Sequence, residues 1–104
     1  MMSYDDFNED LLKIHSDKKM VNFIKGMIVA RKMRGLRKNK FAEMIDVTAS
    51  YLVQVDLSIA PEKETKKISG QLMFAIAFKL GCTVDLLVFY GDNYDYYMDI
   101  LESK

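Results

Sequence analysis

The sequence predicts an all-α fold, a compact domain of five to six helices. Apolar residues recur at spacings of three and four in several segments, and no strand-like alternation extends beyond four positions. Half of the residues are hydrophobic, 29% are charged, and the chain contains a single proline. A chain of 104 residues is long enough for one domain with one hydrophobic core.

Two helices are predicted in the first third of the chain. An apolar stripe predicts a helix over residues 4–16, and its members are Tyr4, Phe7, Leu11 and Ile14. The polar stretch HSDKK, residues 15–19, predicts a break. The run MVNFIKGMIVARKMRG then predicts the longest helix, which ends at Gly35. Its apolar side comprises Val21, Ile24, Met27 and Ile28.

The segment KFAEMIDVTASYLVQVDL, residues 40–57, contains two short apolar patterns separated by a few residues. Asp46 lies just past the first pattern, where a left-handed backbone is usually required and Asp is tolerated better than most residues. Thr48 is suited to cap a new helix. We therefore predict two helices, over about residues 37–45 and from Thr48 to Leu57, joined by a turn of about three residues.

The second half of the chain contains three further helical patterns. After a polar loop that includes Pro61, residues 69–80 are apolar nearly all round, which predicts a buried helix closed by Gly81. Thr83 caps a short helix that follows. Residues 92–104 predict an acidic amphipathic helix, whose apolar stripe is Tyr94, Tyr97, Met98 and Leu101.

Several functional classes lack support in the sequence. The chain has no Gly-rich phosphate loop and no nucleophile elbow, so we expect no enzyme activity and no cofactor. One cysteine, Cys82, and one histidine, His15, predict a structural thiol and a solvated side chain rather than a metal site. The start of the chain is acidic and no apolar run reaches ~18 residues, which predicts a cytoplasmic protein outside the membrane.

Charge is segregated along a chain whose net charge is zero. Residues 1–21 carry three Lys and five acidic residues, a net charge of −2. Residues 22–67 carry ten Lys and Arg and five acids, a net charge of +5, and residues 68–104 carry two Lys and five acids, a net charge of −3. A basic middle between acidic ends is typical of a polyanion-binding surface. An uneven but merely solvated helix surface is the alternative.

The order of these elements resembles the Xre family, the lambda-repressor-like helix-turn-helix DNA-binding domains, over about residues 22–90. The resemblance is carried by ARKMRGL, FAEMIDVTASYLVQV, the proline that follows, and AIAFKLGCTVDLLV. It implies a single domain of the lambda-repressor-like helix-turn-helix type with extra N- and C-terminal helices. Residues 20–91 would form the helix-turn-helix core, residues 1–19 an N-terminal helical extension and residues 92–104 a C-terminal amphipathic helix.

The resemblance implies a recognition helix, from about Thr48 to Leu57, in the major groove of double-stranded DNA. The implied base contacts are Thr48, Ala49, Ser50, Val53 and Gln54. Among them, Gln54 has the side-chain amide that can bond to both hydrogen-bonding groups of an adenine edge. The expected phosphate contacts are Arg37, Lys38, Asn39, Lys40, Lys63, Lys66 and Lys67. Ordinary solvated side chains remain the alternative for both sets.

The implied function is that of a sequence-specific transcriptional regulator, a repressor of the phage or mobile-element type found in bacteria. A helix-turn-helix monomer contacts few bases, so a homodimer is expected. Tyr94, Tyr97, Met98 and Leu101 either form its interface or cover the core of their own chain. The alternative function is a protein-binding helix-turn-helix module of the antitoxin or nuclease-inhibitor type, with a protein partner in place of DNA.

Overall fold

Six α-helices make up most of residues 4–103, whose backbone the computed structural model describes; side chains are described for residues 18–103. The helices are α1 (Tyr4–Met33), α2 (Lys38–Met44), α3 (Ala49–Leu57), α4 (Gly70–Leu80), α5 (Val84–Asp92) and α6 (Tyr94–Glu102). Residues 4–103 contain no strand. The predicted all-α class is confirmed.

α1 is one helix of 30 residues, so the prediction of two helices separated at residues 15–19 is wrong. The stretch HSDKK contains neither proline nor glycine, and its polar side chains need only contact with water. Lys18 and Lys19 are exposed. The predicted boundary between extension and core, at residues 19 and 20, therefore lies inside a helix. The apolar stripe predicted over residues 4–16 lies outside the described side chains, as does His15.

Three helices end in the same backbone motif, which sets the direction of the turn that follows. The residue that closes each turn has a positive φ, 64° at Gly35, 60° at Asp46 and 68° at Gly81. The next N–H donates to the carbonyl five residues earlier: Leu36 to Arg31 (3.0 Å), Val47 to Ala42 (3.0 Å) and Cys82 to Ala77 (2.9 Å). The left-handed backbone predicted for Asp46 is thereby confirmed.

Hydroxyl side chains begin three of the helices. The side-chain oxygens of Thr48, Ser69 and Thr83 each accept a hydrogen bond from the backbone N–H three residues later, at 3.0, 3.2 and 3.0 Å. The caps predicted at Thr48 and Thr83 are confirmed, and α2 and α3 are separate helices. α2 begins after Arg37, whose side chain makes no capping bond.

α1 and α5 pack antiparallel with their backbones in direct contact. A Cβ added at Gly26 would overlap the backbone carbonyl of Leu87, and one added at Gly91 would overlap that of Asn22. Since residue 22 faces residue 91 and residue 26 faces residue 87, the two helices run in opposite directions. Backbones approach this closely only where no Cβ lies between them. Each of the two helices thus contributes one glycine to the crossing.

One hydrophobic core joins α1 to the next four helices. Its fully buried large side chains are Phe23, Ile24, Met27, Phe41, Leu52, Val55, Ile76, Leu80 and Leu87. Leu52 and Val55 of α3 are buried, whereas Val47, in the turn before α3, is only half-buried. Most of these side chains are aliphatic or aromatic and each contributes roughly 1.5–3 kcal/mol on full burial.

α4 is exposed on one side, which corrects the prediction that it is buried all round. Ile76, Ala77 and Leu80 pack into the core, but Phe74 and Phe78 are 68% and 70% exposed. The two rings stack on each other with centroids 6.5 Å apart. Packing on α1 and α5 covers only one side of the helix. An apolar composition therefore does not ensure burial here.

α6 packs back onto α1 and α5. Its stripe residues Tyr94, Tyr97, Met98 and Leu101 are all half-buried. The Tyr94 ring lies 5.5 Å from Lys25 Nζ, and the Tyr97 ring meets Tyr90 edge-on with centroids 5.0 Å apart. Burial raises the pKa of the Tyr94 hydroxyl, and the carboxylates of Glu102, Asp95 and Asp56 raise it further. The stripe thus covers part of its own chain, and its role between two copies remains a prediction.

Within the described part of the chain, no single helix is both long enough and apolar enough to cross a membrane. Taken together, α4 and α5 meet the length and composition of a span, but they bend by 83° at the break between them.

The glycine crossing predicts a sharp contrast among substitutions. Gly26→Ala and Gly91→Ala should each lower the free energy of unfolding by about 1–3 kcal/mol, because the added methyl must push the two backbones apart. The matched control is Gly70→Ala, since no atom lies within 4 Å of a Cβ built at this position in α4. It should be neutral or stabilising by up to ~1 kcal/mol. Urea denaturation measures all three, and equal effects would contradict the proposed backbone contact.

Candidate nucleic-acid interface

The turn between α2 and α3 determines which side of α3 faces outward. Asp46 closes α2 with a left-handed backbone and Thr48 caps α3 two residues later, so the connection is short and hydrogen-bonded at both ends. Leu52 and Val55 then anchor α3 in the core. The opposite side carries an exposed row at spacings of three and four, composed of Ser50, Val53, Gln54 and Leu57.

The five predicted base-contact residues do not all lie in this row. Ser50, Val53 and Gln54 are exposed on it. Ala49 is half-buried and packs against the core, which leaves little of its methyl group free. Thr48 is exposed, but its Oγ1 already accepts the Tyr51 N–H. Leu57, which was not among the predicted base contacts, is exposed at the end of the same row.

A buried ion pair holds α3 to α1. Arg31 Nη2 lies 2.5 Å from Asp56 Oδ2, and the two side chains are only 5% and 8% exposed. The Arg31 guanidinium also lies over the Phe41 ring of α2, 5.7 Å from its centroid. Three helices thus meet at one cation.

Sequence reasoning missed this pair, although both residues carry a signal. Arg31 follows Ile24, Met27 and Ile28 on the apolar stripe of α1, and Asp56 lies four residues after Leu52 on the apolar side of α3. Opposite charges on two stripes that both face the core indicate an ion pair between them, because an unpaired charge is too costly to bury. The remaining atoms, Arg31 Nη1 and Asp56 Oδ1, are buried without a protein partner.

The loop lysines lie beside the exposed row of α3. Lys63, Lys66 and Lys67 are exposed and line a groove of about 590 Å³ together with Gln54 and Leu57. The Lys66 ammonium lies 6.0 Å from the centroid of the Tyr51 ring, a contact that holds this part of the loop near α3. Glu64 also lines the groove, so the positive charge of the groove is reduced but not cancelled.

The second basic cluster lies elsewhere. Arg37, Lys38 and Asn39 line a separate cavity of about 600 Å³, whose other walls include Tyr94 and Met98. Lys40 is exposed but lines neither cavity.

One member of this second cluster is already engaged. Lys38 Nζ lies 3.8 Å from Asp56 Oδ2, and its side chain is 52% exposed. The structure therefore brings the loop lysines together with Gln54, but does not bring the Arg37–Lys40 cluster into the same groove.

The described residues contain no group of three or more His, Cys, Asp and Glu side chains that could hold a metal ion. Cys82 is half-buried, and its Sγ lies 3.5 Å from Arg34 Nη2. We found no match to the chain among protein-family models, curated proteins or solved structures. The resemblance to the Xre family therefore remains a prediction that rests on the sequence motifs.

The buried ion pair predicts that single and double substitutions will differ in their cost. Asp56→Asn should lower the free energy of unfolding by about 3–5 kcal/mol, since it leaves the buried Arg31 charge unneutralised. The double variant Arg31→Met, Asp56→Leu removes both charges and should cost far less than that. Chemical denaturation of both variants tests the interpretation. A double variant at least as unstable as the single one would contradict it.

Proposed function

We propose that this chain is a cytoplasmic, sequence-specific double-stranded DNA-binding regulator, a repressor of the lambda-repressor-like helix-turn-helix type. The observation that carries the proposal is the groove in which Gln54 of α3 and the three loop lysines face the same space. A base-reading amide and phosphate-binding ammonium groups are combined there within one concave surface.

Base reading is assigned to the exposed row of α3. The Gln54 amide has N–H groups that can donate to N7 of adenine and a carbonyl oxygen that can accept from N6 in the major groove. The Val53 methyl groups are suited to contact a thymine methyl, and the Ser50 hydroxyl can bond to a base or a phosphate. The burial of Leu52 and Val55 fixes the orientation of the row relative to the core.

Phosphate binding is assigned first to Lys63, Lys66 and Lys67 at the end of α3 nearest the loop. The Arg37–Lys40 cluster at the start of α2 supplies a second basic region. Residues 22–67 carry a net charge of +5, whereas both flanking segments are acidic. Charge segregation of this kind orients a protein on a polyanion before any base is contacted.

Binding to a protein partner is the second candidate function, and the composition of α3 favours it. The helix ASYLVQVDL contains no basic residue, and its exposed row includes Val53 and the more exposed Leu57. An apolar row bordered by lysines also fits an acidic, apolar segment of another protein. This module would be of the antitoxin or nuclease-inhibitor type.

Substitution of the base-reading residue tests the DNA proposal. Gln54→Ala should keep the fold and relax the preference at one base pair per half-site, since a bidentate contact gives roughly 1–3 kcal/mol of discrimination. Binding is measured on a duplex selected from a random pool and on its single-base variants. Leu52→Ala is the control for fold, with an expected loss of ~2–5 kcal/mol of stability.

The outcome also separates the two candidate functions. If Gln54, Val53 and Ser50 can all be replaced by acidic residues with unchanged DNA binding, α3 is not in the groove of the duplex. Loss of a specific protein complex in the same variants would favour the protein partner.

The loop lysines predict a loss of affinity that is independent of DNA sequence. Lys66→Gln with Lys67→Gln should weaken binding to all duplexes alike and reduce the log–log salt slope by ~0.9 for each phosphate that is no longer neutralised. The matched control is Lys19→Gln, an exposed lysine on α1 that lines neither basic cavity. Fluorescence anisotropy over a range of salt concentrations gives both slopes. Equal slopes for the control and the double variant would contradict the assignment.

A further inference from the structure

The cavity beside the start of α2 has the size of a small-molecule site. Its volume is about 600 Å³, and its walls come from the end of α1, the start of α2, the end of α3 and α6. Sites for small molecules have volumes of about 300–1,000 Å³. The cavity shares no lining residue with the groove that contains Gln54, so the two are separate features of the surface.

The wall of this cavity is basic. Asp56 is the only acid among the described residues that line it, against four cations and for a net charge of +3: Arg31, Lys32, Arg37 and Lys38. Glu102 Oε1 lies 3.7 Å from Lys32 Nζ, and including this carboxylate reduces the excess to +2. A dianion balances this excess, whereas a cation or a neutral ligand leaves it unneutralised.

Two of the charged lining residues belong to the interior. Arg31 and Asp56 are only 5% and 8% exposed, and they pair through Nη2 and Oδ2. Their other atoms, Arg31 Nη1 and Asp56 Oδ1, are the buried polar atoms without a protein partner. Buried polar groups are normally hydrogen-bonded. The guanidinium nitrogen is suited to donate to an anionic oxygen, and the carboxylate oxygen to accept from a hydroxyl group of the same ligand.

Much of the remaining wall is apolar. Leu36, Ile59, Met98 and the Tyr94 ring line the cavity, and all four residues are half-buried. Contact with an apolar ligand body removes this surface from water, which is favourable. An inorganic anion uses only the cations of the wall, whereas a ligand with a charged head and an apolar body uses both parts.

We propose that this cavity binds a small organic phosphate monoester, with the phosphate group at the cations and the apolar body against Tyr94 and Met98. A phosphate monoester carries a charge of about −1.5 to −2 at neutral pH, which matches the excess of the wall. A phosphodiester of the DNA backbone carries a single charge and has no apolar body beside it. The ligand of the cavity is therefore a free molecule.

Titration of the full chain with phenyl phosphate, in the absence of DNA, tests the proposal. Calorimetry should give a Kd below about 1 mM, which is within reach of a ligand of this size. Inorganic phosphate and phenol each supply one half of the recognition and should bind at least about tenfold more weakly. Equal affinity for inorganic phosphate would assign the cations to bare phosphate, as in a DNA backbone contact, and would overturn the proposal. Equal affinity for phenol would also overturn it.

Nuclear magnetic resonance spectra recorded during the same titration locate the bound probe. Backbone amide signals of residues 36–39 and 94–98 should shift, because these segments contribute to the wall of the cavity. Signals of residues 63–67, which line the groove beside Gln54, should not. Shifts confined to residues 63–67 would place the anion in that groove and contradict the inference.

Substitution of two lining cations gives the matched comparison. Arg37→Gln with Lys38→Gln should raise the Kd for phenyl phosphate by at least about tenfold, because charge-assisted hydrogen bonds are lost. Both side chains are exposed, so the fold should persist, which circular dichroism checks. Lys79→Gln, an exposed lysine of α4 that does not line the cavity, should leave the Kd unchanged. Equal effects would indicate general attraction to a basic protein and reject the site. Because the titration contains no DNA, its failure would leave the proposed role of α3 untouched.

Discussion

The backbone contact between α1 and α5 is the constraint on which the rest of the structure depends. Gly26 and Gly91 let two antiparallel helices approach until carbonyl groups occupy the space of absent side chains. The other helices are positioned relative to this pair, α2 through α3: α4 and α6 each contact both members, α3 contacts α1, and α2 contacts α3. A small domain gains rigidity from such a contact because it leaves no room for sliding between the two helices.

The second constraint is Arg31, the residue of α1 that contacts both helices of the predicted helix-turn-helix pair, α2 and α3. Its guanidinium pairs with Asp56 of α3 and lies over the Phe41 ring of α2. One side chain of α1 therefore fixes the positions of both helices. A hydrophobic contact alone tolerates rotation of a short helix such as α3. A buried pair with defined hydrogen-bond geometry does not, and the exposed row of α3 therefore has one orientation.

Local signals in the sequence were sufficient to predict several of the helix ends. Thr48, Thr83, Asp46 and the glycines at helix ends act through their own backbone and nearest neighbours, so no knowledge of tertiary packing was needed. The break predicted at residues 15–19 failed because polarity was taken as a stop signal, although only proline, glycine or a cap ends a helix reliably.

Tertiary features were predicted less well, for a different reason. The apolar composition of α4 does not reveal how many helices pack against it. Phe74 and Phe78 are exposed because none of the other described helices covers their side of α4. The burial of Arg31 depends on a partner 25 residues away. Which basic residues share a groove with Gln54 likewise depends on the path of the long loop, and sequence spacing alone does not determine it.

Asp56 contacts one buried cation and one that is half exposed, so a change at the exposed cation need not disturb the buried ion pair. Two cations, Arg31 and Lys38, flank the Asp56 carboxylate, so the three groups together carry a net charge of +1. The Lys38 side chain is half exposed to solvent. If the proposed DNA partner bound Lys38 through a phosphate, the inner pair of Arg31 and Asp56 would stay neutral and buried. Exchange of the counter-ion at Lys38 would then expose no buried charge, so the proposed attraction to DNA would depend on ionic strength while the stability of the fold would not.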